Sequence, residues 1–322
     1  MNLMKKLFEG IWQYKIKDKP IAMSHQVNSE CNLRCPFCSD WREKGDQMDK
    51  KEIFDLLDEA RKFGIILYNA WSTEPLLRDE LPEILEYAHK KNMLTSTVTN
   101  GKLLDKRIDE LDDLDYLTVS VDGISYNKQI RGIKPSELIK SLKKAKNKDI
   151  SVSLNCVITN KNLEEVLDVV KFAEKNDLLV SLEPVYKHEN VSKETWDQFG
   201  IKDKKRYKKL IDNLLKLKEK NYPIINSKTY LKNIKEINNL NNCQNQNTIL
   251  HIDSDGNIIY CRAKKQKLGN YKDGINNIWD KTKGKREEIA KECNGCHFFG
   301  YIESSYMDKL KIEPIYNILK NI

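Results

Sequence analysis

From residue 21 onwards, short runs rich in β-branched residues alternate with longer stretches in which apolar side chains recur every three or four positions. The short runs predict strands over 21–28, 65–70, 93–98, 116–121, 150–157 and 178–183. The longer stretches predict helices over 49–63, 80–91, 103–111, 134–147 and 162–176. Six strand–helix units in succession predict an α/β fold whose parallel sheet curls into a partial barrel.

The chain before residue 21 has a different pattern. Over residues 1–20, apolar side chains recur at helical spacing and predict one amphipathic helix with charged residues opposite its apolar stripes. The stripes comprise Leu3, Leu7, Ile11, Met4, Phe8 and Trp12. This apolar face could pack on the barrel or lie in a membrane interface, and the pattern leaves both open.

After residue 189 the strand–helix alternation ends. Residues 190–242 are rich in Lys and Asn and predict a helical connector, with helices near 204–220 and 228–239. Two β-rich runs, 249–253 and 258–260, flank a turn sequence and predict a hairpin. We therefore expect four segments: an N-terminal helix at 1–20, a barrel at 21–189, a connector at 190–242 and a cysteine-bearing module with an amphipathic tail at 243–322.

Composition and charge narrow the class of protein. The 322 residues are 39% hydrophobic and 32% charged, and the formal net charge is a mild +8. Eight cysteines without a secretory signal indicate a reducing compartment, so we expect a cytoplasmic protein whose thiols serve metals rather than disulfides. No apolar stretch is long enough to span a membrane. No nucleic-acid-binding motif is present, and we expect no nucleic-acid partner.

Three cysteines carry the strongest chemical signal. Cys31, Cys35 and Cys38 lie in the run CNLRCPFC, where spacings of three and two residues place three thiols round one loop. Three thiolates are one short of closing a four-iron cluster or a tetrahedral zinc site, so one metal position stays open for a ligand. A zinc knuckle and thiols without metal are the simpler alternatives.

The spacing and the intervening residues resemble the signature of the radical SAM superfamily. The resemblance implies a (β/α)6 partial TIM barrel and a [4Fe–4S] cluster on Cys31, Cys35 and Cys38, whose open iron binds S-adenosylmethionine (SAM). It also implies reductive cleavage of SAM to a 5′-deoxyadenosyl radical, which abstracts hydrogen from an unactivated C–H bond. An electron donor of flavodoxin or ferredoxin type is the expected partner. A non-enzymatic iron–sulfur carrier is the alternative.

Further segments between Ile21 and Pro184 resemble the family's SAM-binding motifs, each following a predicted strand. The run WSTEP at 71–75 stands where the family usually has Gly-Gly-Glu-Pro, with Ser72 and Thr73 replacing both glycines. Arg131 matches an arginine that pairs with the SAM carboxylate, a role suited to a planar two-pronged donor. The resemblance implies SAM contacts from Glu74, Asn100, Ser120, Arg131 and Asn155.

Four further cysteines lie in the C-terminal module: Cys243, Cys261, Cys293 and Cys296. The hairpin between the first two, with Gly256 ahead of Cys261, resembles the shortened SPASM module called the twitch domain. That resemblance implies an auxiliary [4Fe–4S] cluster and a small β-hairpin/helix iron–sulfur domain. A four-thiolate zinc ribbon is the alternative, and His297 could compete as a ligand. Cys156 is expected to be a buried core cysteine, with a hydrogen-donating thiol as the alternative.

Three substrate classes compete. A membrane lipid or isoprenoid chain is favoured slightly, by the N-terminal helix, the amphipathic tail at 301–322 and the positive charge, which together suggest peripheral membrane contact. A ribosomal peptide that is crosslinked or epimerised ranks almost equal to the lipid. It ranks lower because only about 20 residues precede the first strand, too few for the leader-binding domain that such maturases often carry. A small polar metabolite that is dehydrogenated ranks third.

Overall fold

A mostly parallel sheet of nine strands organises the chain. The computed structural model describes residues 3–42, 45–187, 191–237 and 245–308. The strands are β1 (Ala22–Gln26), β2 (Leu67–Trp71), β3 (Leu94–Thr99), β4 (Tyr116–Ser120), β5 (Ser151–Ile158), β6 (Leu179–Pro184), β7 (Ile249–Ile252), β8 (Asn257–Ile259) and β9 (Lys267–Asn270). Their order across the sheet is β6-β5-β4-β3-β2-β1-β7-β8-β9.

Helices connect the parallel strands and cover one face of the sheet. The first half of the chain contains α1 (Leu3–Ile11), α2 (Lys50–Phe63), α3 (Leu81–Lys90), α4 (Leu104–Arg107), α5 (Tyr126–Arg131), α6 (Pro135–Asn147) and α7 (Val166–Lys175). The second half contains α8 (Lys193–Phe199), α9 (Lys204–Glu219), α10 (Lys228–Lys235), α11 (Asn245–Thr248), α12 (Ile275–Lys281), α13 (Lys283–Glu292) and α14 (Phe299–Asp308).

Alternate side chains on each strand separate the two faces of the sheet. Tyr68, Leu117 and Leu154 are fully buried in the core formed with the helices. The residues between them point to the other side, which we call the inner face. Because β1 to β6 run parallel, their carboxyl ends lie at one edge of the sheet, and the loops that follow them meet there.

The six strands predicted for the barrel are confirmed, with each end within two residues of its expected position. The helices predicted over 49–63, 80–91 and 134–147 are confirmed. The one predicted over 103–111 divides into α4 and a 3-10 turn at Ile108–Glu110, and α7 begins at Val166 because residues 161–165 form turns. The pattern missed α5 and α8, which are too short to show a helical period. The end of the predicted helix at 228–239 lies outside the described residues.

The C-terminal hairpin differs from the expected separate module. Residues 253–256 form the predicted turn, with Gly256 at a φ of +78°. However, β7 pairs in parallel with β1, joining Ala22 to Ile249, so the hairpin extends the barrel sheet. An open sheet has two unpaired edges, and covering one of them satisfies main-chain groups of β1 that would otherwise need another partner.

The described side chains of the N-terminal segment pack on the barrel partly through a polar residue. Gln13 is only 2% exposed and donates a hydrogen bond from Nε2 to the Phe63 carbonyl at the end of α2, at 2.8 Å. The side chains of Phe8 and Trp12 are 66% and 57% exposed. The segment therefore covers the end of the barrel opposite the carboxyl ends of the strands. The side chains of Leu3, Met4 and Leu7 lie outside the described residues.

The described part of the predicted amphipathic tail is buried rather than exposed. Tyr301, Ile302 and Tyr306 on α14 lie in the interior, and Glu303 accepts a hydrogen bond from the Ser227 amide at 2.6 Å. Residues 309–322 lie outside the described residues. Within the described residues, no helix combines the length and the apolar character needed to cross a bilayer.

We predict that Gln13→Ala destabilises the fold more than Trp12→Ala. The Gln13 variant leaves the Phe63 carbonyl without its buried partner, which costs roughly 1–3 kcal/mol. The exposed Trp12 ring contributes little, so its removal changes the free energy of unfolding by less than about 0.5 kcal/mol. Urea denaturation measures both, and a larger loss for Trp12→Ala would contradict this packing.

Candidate active site

The three cysteines of CNLRCPFC lie in the loop that follows β1, at the edge where the strands end. The Cys38 amide donates to the Cys35 carbonyl at 3.1 Å, and the Leu33 amide donates to Cys31 Sγ at 3.4 Å. Trp41 Nε1 donates to the Cys35 carbonyl at 3.3 Å. These bonds fold the loop back on itself. Cys35 is buried, whereas Cys31 and Cys38 are partly exposed.

Burial is the largest influence on the pKa values of these thiols. It raises the pKa of Cys31 and Cys35 above the ordinary value, and it raises that of Cys38 to about 12. The Arg131 guanidinium acts in the opposite direction and partly offsets the increase in the pKa of Cys35. Metal binding requires thiolates, so a cation beside the loop favours the form that binds.

Ser72 and Thr73, which replace the family's two glycines, brace the cysteine loop. Ser72 donates a hydrogen bond to Asn28 Oδ1 at 3.0 Å, and the Thr73 hydroxyl donates to the Glu30 carbonyl. Neither residue has a positive φ, so the turn tolerates side chains at both positions. The replacement therefore adds two hydroxyl contacts to the segment leading into the cysteines.

The Glu74 carboxylate is 0% exposed and holds the turn after β3. Its Oε1 accepts from the Thr99 hydroxyl at 2.7 Å and from the Leu76 amide at 3.1 Å, and its Oε2 accepts from the Asn100 amide at 2.8 Å. Burial raises the pKa of Glu74, and these three donors counteract the increase. The carboxylate thus positions Asn100 and is not open to solvent.

Asn100 links that turn to the cysteine loop. Its Nδ2 donates to Asn32 Oδ1 at 2.8 Å and lies 3.9 Å from Cys31 Sγ. Its Oδ1 accepts from the Lys102 amide at 2.9 Å, which fixes the orientation of the side-chain amide. The amide donor is therefore directed at a sulfur atom, where a hydrogen bond stabilises negative charge.

Arg131, at the end of α5, lies beside the cysteines and is paired with Asp122. Its Nε and Nη2 both contact Asp122 Oδ2 at 2.8 Å, and Asp122 Oδ1 accepts from the Val157 amide at 3.0 Å. Its guanidinium also lies 5.8 Å from the centre of the Phe37 ring, within the cysteine loop. The sequence analysis did not anticipate the pairing with Asp122.

Glu165 holds the start of α5 and was also missed by the sequence analysis. Its carboxylate accepts hydrogen bonds from the amides of Ile124, Ser125 and Tyr126 at 2.5, 2.9 and 3.1 Å. A carboxylate at the first turn of a helix suits the unpaired amides there. No sequence motif marks Glu165, because its partners lie about forty positions earlier in the chain.

The inner face beneath the loop is polar on all six parallel strands. Ser120 and Asn155 are register partners near the strand ends. Asn155 Oδ1 accepts from the Ser181 hydroxyl at 2.8 Å, and its Nδ2 donates to Glu183 Oε1 at 3.3 Å. Polar side chains with this inward direction are Ser24, Asn69, Ser96, Thr118, Ser153, Asn155, Ser181 and Glu183.

The donor chemistry of the loop fits an iron–sulfur cluster with one open position. Cys31, Cys35 and Cys38 supply three thiols, a buried cation stands beside two of them and an amide donor faces the third. Across the described ranges, no three Cys, His, Asp or Glu side chains are gathered into a metal-binding group. The fit therefore depends on the residue types and on the position of the loop.

Two of the described C-terminal cysteines, Cys261 and Cys296, belong to a second cluster of side chains. Cys261 is buried with Tyr260, Ile289 and Tyr301, and Cys296 packs against this group. The Cys293 thiol accepts from the Gly295 amide at 3.4 Å, where Gly295 has a φ of +79°. Cys243, the expected fourth ligand, lies outside the described residues.

His297 and Cys156 occupy buried positions. The His297 carbonyl accepts from the Tyr230 hydroxyl at 2.7 Å, so this residue anchors the end of the cysteine segment to α10. Cys156 is fully buried on the outer face of β5, within the main apolar core. It therefore faces away from the inner face, as expected for a core cysteine.

Comparison with known proteins gives a family and several relatives. Residues 26–173 match the model of the radical SAM superfamily. The PqqA peptide cyclase of Granulibacter bethesdensis is 26% identical over 167 residues, covering 49% of this chain and 45% of the relative. The Fe-coproporphyrin III synthase of Methanosarcina barkeri is 29% identical over 186 residues, covering 54% and 46%.

Among solved structures, Streptococcus suis SuiB bound to its precursor peptide SuiA superposes with a TM-score of 0.66 at 17% identity. The match covers 86% of this chain and 68% of SuiB, and at this identity it establishes the fold alone. The chain spans less than half the length of the two curated relatives, at 45% and 46%. Residues 26–173 therefore form a radical SAM domain.

Proposed function

We propose that this enzyme binds its SAM-coordinating [4Fe–4S] cluster through Cys31, Cys35 and Cys38 and modifies a peptide substrate on the inner face of the barrel. When bound, the cluster and SAM supply a 5′-deoxyadenosyl radical that removes hydrogen from an unactivated C–H bond. The observation that carries the proposal is the position of the cysteine loop, directly above a polar inner face and beside Asn100 and Arg131.

The chain's own residues then have distinct roles. Asn100 donates toward Cys31 Sγ and would stabilise negative charge on that ligand, and Ser120 and Asn155 at the strand ends would contact SAM. Arg131 carries the positive charge for the SAM carboxylate, with Asp122 fixing its orientation. Glu74 acts as a positioning residue, because all of its described contacts are to the chain and its carboxylate is buried.

The polarity of the inner face favours a peptide over the lipid that the sequence analysis ranked first. The Thr118 and Ser153 hydroxyls bond each other, and Ser181 and Glu183 both bond Asn155, so the inner face is polar and a hydrocarbon chain packed on it would add no polar contact. A peptide supplies amide donors and acceptors for them. The names of two relatives, a peptide cyclase and a maturase bound to its precursor peptide, support the same class.

The position of the exposed apolar residues also weakens the lipid hypothesis. Phe8, Ile11, Trp12 and Ile16 lie on the segment that packs against the end of α2. That end is opposite the cysteine loop, so a membrane bound there would lie far from the reacting atoms. A small polar metabolite is compatible with the inner face as well, and the Fe-coproporphyrin III synthase is a relative with a non-peptide product.

We further propose that Cys243, Cys261, Cys293 and Cys296 bind an auxiliary [4Fe–4S] cluster. Support comes from the thiol count and from the shared apolar group that contains Cys261 and Cys296. A cluster with four protein ligands suits electron transfer more than substrate binding. A flavodoxin or ferredoxin would supply the electron for SAM cleavage.

The first prediction concerns the cysteine loop. A triple variant with Cys31→Ala, Cys35→Ala and Cys38→Ala should form no 5′-deoxyadenosine from SAM and dithionite under anaerobic conditions. It should also lose about four irons per chain, because one cluster has lost its ligands. Cys156→Ala is the matched control and should retain both. Deoxyadenosine formation by the triple variant would contradict the assignment.

The second prediction tests the auxiliary cluster. Cys261→Ala should lower the iron content of the reconstituted protein from about eight to about four per chain while the cluster at Cys31 remains. Elemental analysis measures iron and zinc together. One tightly held zinc in the wild type, with about four irons, would instead identify the C-terminal site as structural.

A third prediction concerns Glu165 as a positioning residue. Glu165→Gln weakens the hydrogen bonds that the carboxylate accepts from the amides at the start of α5. Arg131, at the other end of that helix, should then be positioned less well. The KM for SAM should rise about tenfold while iron content is retained. Glu164→Gln, at the neighbouring exposed side chain, should leave the KM unchanged. Equal KM values for both variants would exclude this role.

A further inference from the structure

Arg262 reaches across the inner face from the residue after Cys261. Its Nη2 donates to the Ser24 hydroxyl on β1 at 2.6 Å, and its guanidinium carbon lies 3.7 Å from the centre of the Trp71 ring on β2. Its backbone amide donates to the Tyr301 hydroxyl at 3.3 Å. A serine, an aromatic ring and a backbone contact thus fix the position of the guanidinium.

Within the part of the chain that the structure describes, this guanidinium has no carboxylate paired with it. Among the described residues, no ion pair joins Arg262 to an acidic side chain, although Glu183 is one of the charges that act on it. The Glu183 oxygens are used by the Phe299 amide at 2.9 Å and by Asn155 Nδ2 at 3.3 Å. A partly buried arginine without a paired anion loses solvation that only an incoming negative group would replace.

Three polar atoms around the guanidinium are also buried without a hydrogen-bond partner in the described part of the chain. They are Arg262 Nε, Trp71 Nε1 and Asn69 Oδ1. Trp71 is 7% exposed, and Asn69 is the register partner of Ser24. Two of the three atoms are donors: Nε belongs to the guanidinium itself, and Nε1 belongs to the Trp71 ring on which the guanidinium stacks. Such unpaired donors are costly unless a ligand accepts from them.

We propose that Arg262, Trp71 and Ser24 form a subsite that binds a carboxylate of the substrate, either an acidic side chain or the carboxyl terminus of the peptide. This inference rests on the proposed peptide substrate. A guanidinium presents parallel N–H groups that match the two oxygens of a carboxylate. Glu183 on the same face disfavours a doubly charged phosphate, so a single negative charge fits best.

The position of the subsite gives it a role in selecting the reacting atom. Trp71 directly precedes the turn that braces the cysteine loop, and Asp40 at the end of that loop is among the charges acting on Arg262. A carboxylate held at Arg262 would therefore fix the substrate between the cysteine loop and the C-terminal cysteines. The subsite would decide which carbon lies nearest the site of hydrogen removal.

The test uses the full-length, anaerobically reconstituted protein with SAM bound, so that the cofactor fills its own carboxylate site. The probes are two matched pairs: N-acetyl-L-glutamate α-methylamide with its neutral isostere N-acetyl-L-glutamine α-methylamide for an acidic side chain, and N-acetyl-L-alanine with N-acetyl-L-alaninamide for a carboxyl terminus. Their dissociation constants are measured by tryptophan fluorescence and checked by thermal shift. The wild type should bind the charged member of one pair at least tenfold more tightly than its neutral partner, which identifies the source of the carboxylate, and Arg262→Gln should lose that preference.

Two further variants separate a loss of the subsite from a loss of folding. Arg262→Lys keeps the positive charge but loses the parallel N–H groups of the guanidinium, so it should keep only part of the preference for the charged probe. This variant tests the subsite even if Arg262→Gln does not fold. Arg286→Gln is the matched control, because Arg286 is also stacked on a tryptophan, Trp279, at 3.6 Å but lies away from the inner face. It should retain the full preference.

Three results would overturn the subsite: no preference in the wild type, an unchanged preference in Arg262→Gln, or a loss of SAM affinity in that variant as large as the loss of charged-probe binding. The last result would assign Arg262 to the cofactor instead. Probe binding needs no turnover. A failure of the proposed enzymatic function would therefore appear as absent deoxyadenosine, independently of these constants.

Discussion

The buried carboxylate of Glu74 is the interaction on which the site depends. It connects the turn after β2 to the turn after β3, because its two oxygens accept from Leu76, Thr99 and Asn100. Burying an ionised carboxylate costs free energy unless hydrogen-bond donors surround it. The three hydrogen bonds therefore make the burial of Glu74 possible. Asn100, once fixed, contacts the cysteine loop through Asn32 and Cys31.

A second buried network fixes the opposite side of the loop. Asp122 joins the Val157 amide to Arg131, which places a guanidinium next to Cys35. Glu165 secures the other end of α5. The cysteine loop thus lies between two hydrogen-bonded groups of strand-end residues. One group contacts Cys31 through Asn100, and the other places Arg131 next to Cys35.

Much of the fold, and the candidate chemistry of the cysteine loop, could be predicted from the sequence. Period-two and period-3.6 patterns predict the six parallel strands and their main helices, and the cysteine spacing predicts the chemistry. The pairing of β7 with β1 was not predictable, because nothing local in residues 249–252 encodes a partner more than two hundred positions away. The burial of Gln13 was not predictable for a related reason. The apolar pattern does not show that the distant Phe63 carbonyl needs a hydrogen-bond donor at this position.

The proposed selection of a peptide by the polar inner face can be tested directly. The most direct measurement uses cells of the encoding organism grown in deuterated medium and separated into polypeptide, lipid and small-metabolite fractions. Each fraction is incubated with the reduced enzyme and unlabelled SAM, and the 5′-deoxyadenosine is analysed by mass spectrometry. The account predicts deuterium transfer from the polypeptide fraction. Transfer from the lipid fraction alone, or from the small-metabolite fraction alone, would contradict it.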